Sequence, residues 1–184
     1  RFNHSPSNPY SLSNDFVLTF FEDANHMMWI GTFSGVNRWD PNMTIFSQYN
    51  SPKYPEVANS IITSFTQLDE NNVFFGSYNK GVYQLSLDDN EVSQLKSNNV
   101  FKNLRVMTLY SEGHHLWVGT RSSGLYQINL NTNEVISYKH DSQNEKSISA
   151  NSVTDIIKDA KGNVWVSTYH QGLNRLNKDG SFTR

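Results

Sequence analysis

The 184-residue sequence has no cysteine, so neither disulfides nor thiolate metal sites can hold it together. It also lacks a long apolar run. The longest, Phe16 to Phe21, is broken by Thr19 and falls far short of the roughly 20 residues that span a bilayer. No charged-then-apolar leader opens the chain, so membrane attachment is expected only through segments outside it. A basic excess is absent too, with 15 Lys and Arg against 17 Asp and Glu and a formal net charge of −2. That balance argues against a nucleic-acid partner, whose phosphates are bound by clustered cations. No stretch shows apolar residues at i, i+3, i+4 and i+7 over a dozen positions, which excludes a helical solenoid. No nucleophile, base and orienting group can be assembled from spacing, and neither a cofactor nor a metal is expected.

What the sequence does have is repetition. Trp29-Ile30-Gly31-Thr32 returns as Phe74-Phe75-Gly76-Ser77, Trp117-Val118-Gly119-Thr120 and Trp165-Val166-Ser167-Thr168. The aromatic positions lie 45, 43 and 48 residues apart, and each phrase is followed by a loop glycine at 35, 81, 124 or 172. Self-similarity at this period marks propellers and solenoids. Each unit opens on a strand with apolar anchors (Val17/Phe20, Ile62/Phe65, Val106/Leu109, Val153/Ile156). A hairpin tip rich in Asp, Asn or Gly then leads into the strand that carries the phrase. The third strand, as in Val82-Tyr83-Gln84-Leu85, is bulky on both faces and belongs in a sheet covered on two sides. A more variable fourth strand follows, and hairpins demand antiparallel pairing, which rules out a parallel β-helix. The expected fold is all-β: a β-propeller with four four-stranded antiparallel blades near 15–50, 60–96, 104–139 and 151–184. Residues 1–5 read as the outer strand of a preceding blade. Connections such as Tyr49 to Ser60, with Pro52 and Pro55, are expected to cross between blades.

The run from Ser147 to Thr168, continuing through Gly172-Leu173-Asn174-Arg175, strongly resembles the two-component regulator propeller repeat. So does the first unit, where Asn8 to Asn14 precedes Val17, Glu22-Asp23 and Trp29-Ile30-Gly31-Thr32. The second unit departs with Phe74 and Ser77, the third has a shorter hairpin, and Ser167 replaces the usual Gly. The resemblance implies an extracytoplasmic, periplasmic sensor module, built as larger, seven-bladed propellers and joined through a membrane span to a histidine kinase or diguanylate cyclase. Four units are fewer than seven. Either further blades cover the two end faces, or copies of the chain self-associate, or four blades close alone.

With the first strands lining the channel, the loops after each second strand share a rim with the crossovers. Their side chains, Phe33-Ser34, Tyr78-Asn79-Lys80, Arg121-Ser122-Ser123 and Tyr169-His170-Gln171, vary while the framework stays fixed. Rings beside amide, hydroxyl and basic groups suit an oligosaccharide or another small polar ligand. Tyr78, Asn79, Lys80, Arg121, Tyr169 and His170 are the candidate binding residues.

The column of Trp29, Phe74, Trp117 and Trp165 reads as core instead, because it recurs at one depth. Arg38, Gln84, Gln127 and Arg175 are expected to satisfy inter-blade backbone groups. His114-His115 sits at a hairpin tip, where neighbours point apart, so it makes a poor metal pair. Asp23, Asp69 and Asp159 read as turn formers, and Asp88-Asp89-Asn90 lacks the spaced ligands of a calcium loop. The expected function is therefore ligand sensing within a transmembrane signalling protein. The alternatives are a protein-interaction scaffold and, less well supported, a quinoprotein-like or glycan-processing enzyme. The quinoprotein repeat's Thr-Gly before an outer-strand Trp finds no match at Thr132-Asn133.

Overall fold

The computed structural model describes residues 1–43, 45–50, 53–95 and 100–184. Pro52, assigned above to a crossover, and Lys96, the expected end of the second blade, lie outside them. The described residues form sixteen strands in four sheets, each an antiparallel meander in chain order. Blade 1 holds β1 (Val17–Glu22), β2 (Met28–Thr32), β3 (Gly35–Trp39) and β4 (Phe46–Tyr49). Blade 2 holds β5 (Ile62–Asp69), β6 (Asn72–Ser77), β7 (Gly81–Ser86) and β8 (Val92–Gln94). Blade 3 holds β9 (Val106–Glu112), β10 (His115–Thr120), β11 (Leu125–Asn129) and β12 (Val135–Tyr138). Blade 4 holds β13 (Val153–Lys158), β14 (Val164–Thr168), β15 (Gly172–Leu176) and β16 (Phe182–Thr183). Among the described residues no helix is long and apolar enough to cross a membrane.

Local chemistry explains the hairpins. In the β1–β2 turn the Asp23 carboxylate accepts the N–H groups of Asn25 (2.9 Å) and Met27 (3.0 Å). In the β13–β14 turn Asp159 does the same for Lys161 and Asn163, both at 2.9 Å. A short acceptor thus satisfies turn donors that the ladder leaves free. At the opposite end of the β2–β3 hairpin, Thr32 donates to the Gly35 carbonyl at 3.0 Å, and Thr120 and Thr168 repeat the bond with Gly124 and Gly172.

Successive blades stack through apolar side chains. Trp29, Val36 and Tyr49 of blade 1 meet Ile62, Phe65, Phe75 and Leu85 of blade 2. The equivalent cluster between blades 3 and 4 brings Trp117 and Leu125 against Val153, Ile156 and Val166. Where the sheets come closest, the phrase glycine is needed for space. A Cβ on Gly31, Gly76 or Gly119 would stand 2.9 Å from Ile62, 2.5 Å from Val106 or 2.6 Å from Val153, the first residue of the next blade in each case. Such distances are well inside van der Waals contact. In blade 4 this place is taken by Ser167, whose hydroxyl pairs with that of Thr154 at 2.8 Å.

The two ends of the arc are uncovered. Phe20 is 66% exposed, whereas its counterparts Phe65, Leu109 and Ile156 are 8%, 6% and 3% exposed. Leu173 is 52% exposed against 0% for Val36, Val82 and Leu125. Four blades therefore form an open arc, which leaves half an inter-blade interface at either end.

The connections entering blades 1 and 4 are built alike. The Ser13 amide donates to Asn37 Oδ1 at 2.8 Å, and Ser149 repeats this with Asn174 at 2.9 Å. His4 Nδ1 contacts the Leu12 carbonyl at 2.7 Å, and His140 the Ile148 carbonyl at 2.9 Å. Residues 1–3 form no strand, yet Phe2 packs edge-on to Phe46 at 5.2 Å between centroids, as Tyr138 of β12 packs on Phe182 at 5.6 Å.

One expectation fails. Arg38, Gln84 and Gln127 do not bridge blades: Arg38 lies over the Trp29 ring (5.6 Å), Gln84 donates to Asn72 at 2.7 Å, and Gln127 accepts from the Tyr138 hydroxyl at 3.5 Å. Each partner lies on a strand of the same blade, because a long side chain in the third strand reaches its cross-strand neighbour before it reaches the next sheet.

Candidate functional site

The first residue of each β2–β3-type loop is fixed by a backbone bond to the residue preceding the first strand. Phe33 N donates to the Phe16 carbonyl (3.1 Å), Tyr78 to Ile61 (2.8 Å), Arg121 to Arg105 (2.8 Å) and Tyr169 to Ser152 (2.9 Å). Four loops and four connections are thereby set side by side on one rim.

Between blades, side chains on this rim pair in a regular way. The Arg105 guanidinium, at the entry to blade 3, lies 5.8 Å over the Tyr78 ring of blade 2. Arg121 of blade 3 lies 4.9 Å over the Tyr169 ring of blade 4 and donates to the Ser152 hydroxyl at 3.1 Å. Tyr169 in turn sits 4.0 Å from the His170 imidazole, centroid to centroid. His170 holds a φ of +64°, a region that non-glycine residues adopt uncommonly. Both rings are exposed, Tyr169 by 50%. At the first blade Phe16 stacks on Phe33 at 5.3 Å, with 16° between their planes.

The six candidates therefore divide. Arg121, Tyr169 and His170 come together as one group, the two rings exposed and Arg121 half-buried, and Tyr78 joins the rim through Arg105, which sequence reasoning missed. Asn79 and Lys80 face the connection leading into their own blade. Asn79 accepts from Ile61 N (3.0 Å) and from the Ser77 hydroxyl (2.8 Å) and donates to the Asn59 carbonyl (2.9 Å). Lys80 Nζ donates to the Ala58 carbonyl and, at 3.3 Å, to that of Glu56. Nearby, the Tyr83 hydroxyl also donates to Glu56 O at 2.9 Å, and burial pushes its phenol pKa up. The signal that could have found Arg105 is positional: it directly precedes the first strand of its unit, where the crossover enters the rim.

At the opposite rim, Asp23 and Asp159 do more than form turns. Their second oxygens accept the indole N–H of Trp29 at 2.8 Å and of Trp165 at 2.9 Å. In blade 2, Phe74 replaces the Trp, and Asp69, which still accepts a turn N–H from Asn71 at 2.9 Å, receives Asn72 Nδ2 on both oxygens instead, at 2.8 and 3.0 Å. A groove of about 410 Å³ between blades 2 and 3, lined by Leu68, Phe74, Gln84 and Leu130, lies away from the aromatic rim. Among the described residues no three His, Asp or Glu side chains converge as metal ligands.

Residues 11–34 and 147–170 match the family model of the two component regulator propeller. Over 99% of its length the chain is similar to the extracellular domain of a protein described as the hybrid two component system BT4673 of B. thetaiotaomicron, with a TM-score of 0.75 and 22% identity. Over 98% it is similar to the corresponding domain of BT3049 of the same organism, with a TM-score of 0.83 and 22% identity. The chain spans 22% and 25% of those two chains. Virginiamycin B lyase of Staphylococcus aureus also matches, at a TM-score of 0.66 and 15% identity, over 91% of this chain and 54% of that one. A lyase and a signalling domain on one architecture show that the fold by itself assigns no function. No curated protein matches the sequence.

Proposed function

We propose that this chain, which carries two component regulator propeller repeats, is an extracytoplasmic ligand-sensing part of a transmembrane signalling protein. Its role is to bind rather than to catalyse. The observation that carries this reading is the half-buried Arg121 grouped with the exposed rings of Tyr169 and His170, on a rim made of variable loops and held by a repeated ladder. Aromatic faces and adjacent donors fit an oligosaccharide or another polar organic ligand. The rim spans blade boundaries, because Arg105 and Arg121 each rest on a tyrosine of the neighbouring blade. A ligand that prefers one spacing of the blades would shift that spacing, and the shift would pass to a cytoplasmic kinase or cyclase as a difference in affinity between two arrangements.

The test is calorimetric titration of the purified chain with a panel of oligosaccharides, beside the Tyr169→Ala and Arg121→Ala variants. Binding that both variants weaken supports the reading. Turnover of any sugar, or binding that neither variant touches, overturns it. The uncovered apolar faces of blades 1 and 4 favour a second reading, in which they receive further blades of the same protein, a second copy or a protein partner.

A further inference from the structure

The net charge of −2 hides a separation of charge along the propeller axis. Turns of the β1–β2 type, with the strand ends beside them, carry Glu22, Asp23, Asp69, Glu70, Glu112 and Asp159. Turns of the β3–β4 type, at the same end of the sheets, carry Asp40, Asp88, Asp89, Glu91, Glu134 and Asp179. Among the described residues, Lys158, Lys161 and Lys178 oppose them in these turns, with Arg38 and Arg175 one residue inside the third strands, and Lys158 is paired with Glu112. The aromatic rim has the reverse balance. Its loops carry Lys80 and Arg121, and its connections carry Lys53, Lys102, Arg105, Lys139 and Lys146 against Asp15, Glu56, Asp141 and Glu145.

We infer that the ligand of the rim is an acidic oligosaccharide, recognised through carboxylate or sulfate groups by Arg105 and Arg121. This rests on the rim being the binding face, as proposed above. The geometry suits anions. A cation–π contact uses no hydrogen-bond donor, so Arg105 over Tyr78 and Arg121 over Tyr169 are held at the rim by the rings while their guanidinium N–H groups can still donate. Arg121 places one donor on Ser152, and Arg105 is exposed. The backbones of the two arginines are joined by the bond from Arg121 N to the Arg105 carbonyl while their side chains reach toward blades 2 and 4, so an oligosaccharide lying across blade 3 would present a separate charge to each. A carboxylate or sulfate held by a planar fork is bound bidentately. The twelve carboxylates at the far end repel the same ligand, so it is steered to one face.

The experiment titrates the chain with oligogalacturonate, with its methyl ester of equal length, with a sulfated dextran and with single-stranded DNA, over a range of ionic strength. Oligogalacturonate or the sulfated chain is expected to bind, and whichever binds identifies the anion. Affinity should fall as salt rises, the ester should bind at least about tenfold more weakly, and Arg105→Ala and Arg121→Ala should each cost about tenfold. Arg121→Lys should recover only part of the loss, since it keeps the charge without the fork. An ester that binds as tightly as the acid, with the loss at Tyr169→Ala retained, sinks the anionic inference and leaves the rim reading standing. Failure of both acidic chains to bind, or DNA binding equal to theirs, overturns it as well. Ligand binding indifferent to Tyr169→Ala and to both arginine variants removes the rim reading itself.

Discussion

The Trp29 indole N–H donates to the Asp23 carboxylate at 2.8 Å, which ties a core side chain to the hairpin tip six residues before it. Trp165 and Asp159 repeat the bond at 2.9 Å. One oxygen organises the turn and the other holds the ring that blades stack against. Loss of Asp23 would leave the N–H of a wholly buried Trp29 without an acceptor. Asp23→Ala should therefore lower unfolding stability by about 2 kcal/mol, read from the midpoint of urea denaturation.

The bonds to Asp159 make stability depend on pH. Asp159 is held well below the usual carboxylate range, first by the Trp165 hydrogen bond and then by those from Asn163. Its folded pKa lies below its unfolded one, so its contribution is complete above the unfolded value near 4 and declines as pH falls toward the folded value. Acid unfolding followed by tryptophan fluorescence should show a flatter acid limb for Asp159→Asn than for the parent. An unchanged limb would contradict the linkage.

Gly76 tests the spacing between blades. A methyl group there meets Val106 Cγ1 at 2.5 Å and Ser64 Oγ at 2.7 Å. Gly76→Ala should cost about 1–3 kcal/mol through overpacking, and Val106→Ala should be less harmful in that background than in the parent. Additive losses would mean that the two residues do not compete for the same space.

Position in the arc should decide the cost of a core substitution. Phe65→Ala, between blades 1 and 2, should cost about 3–5 kcal/mol. Phe20→Ala, in the same column on the uncovered face, should stay within about 0.5 kcal/mol. Equal losses in chemical denaturation would show the arc to be closed in solution.

Rim residues should separate by role. Asn79→Ala removes acceptors and donors that fix the connection from Asn59 to Ile61, so it should lower the thermal midpoint by several degrees. Arg121→Ala should leave that midpoint within about a degree while weakening ligand binding, because its partners Tyr169 and Ser152 lie at the surface of the rim.

Much of the fold was legible because a repeat states each structural requirement four times. Gly31, Gly76 and Gly119 mark the close approach of sheets, and the aromatic column marks the stacking depth. The Asp23–Trp29 link was not read, since turn chemistry alone accounts for an Asp at that place. Spacing fixes which loop Asn79 and Lys80 occupy but not which way they turn, and both turn to the connection between Glu56 and Ile61. Arg105 escaped for the complementary reason: it belongs to a variable connection, and only the meeting of two blades brings it over Tyr78. A repeat describes contacts within its own period well, whereas the candidate site is made between periods.

Ser167 gives the fourth blade a different outward boundary from the other three. Where Gly31, Gly76 and Gly119 admit an isoleucine or valine, its Cβ fills the notch, and its hydroxyl is already committed to Thr154. A sheet docking there in the register used inside the chain needs a residue smaller than valine at that point, or must stand farther off. Blade 1 offers Val17 at the corresponding place, so a head-to-tail contact between copies in that register would set Val17 against the Ser167 Cβ, a crowding that Gly31, Gly76 and Gly119 avoid inside the chain.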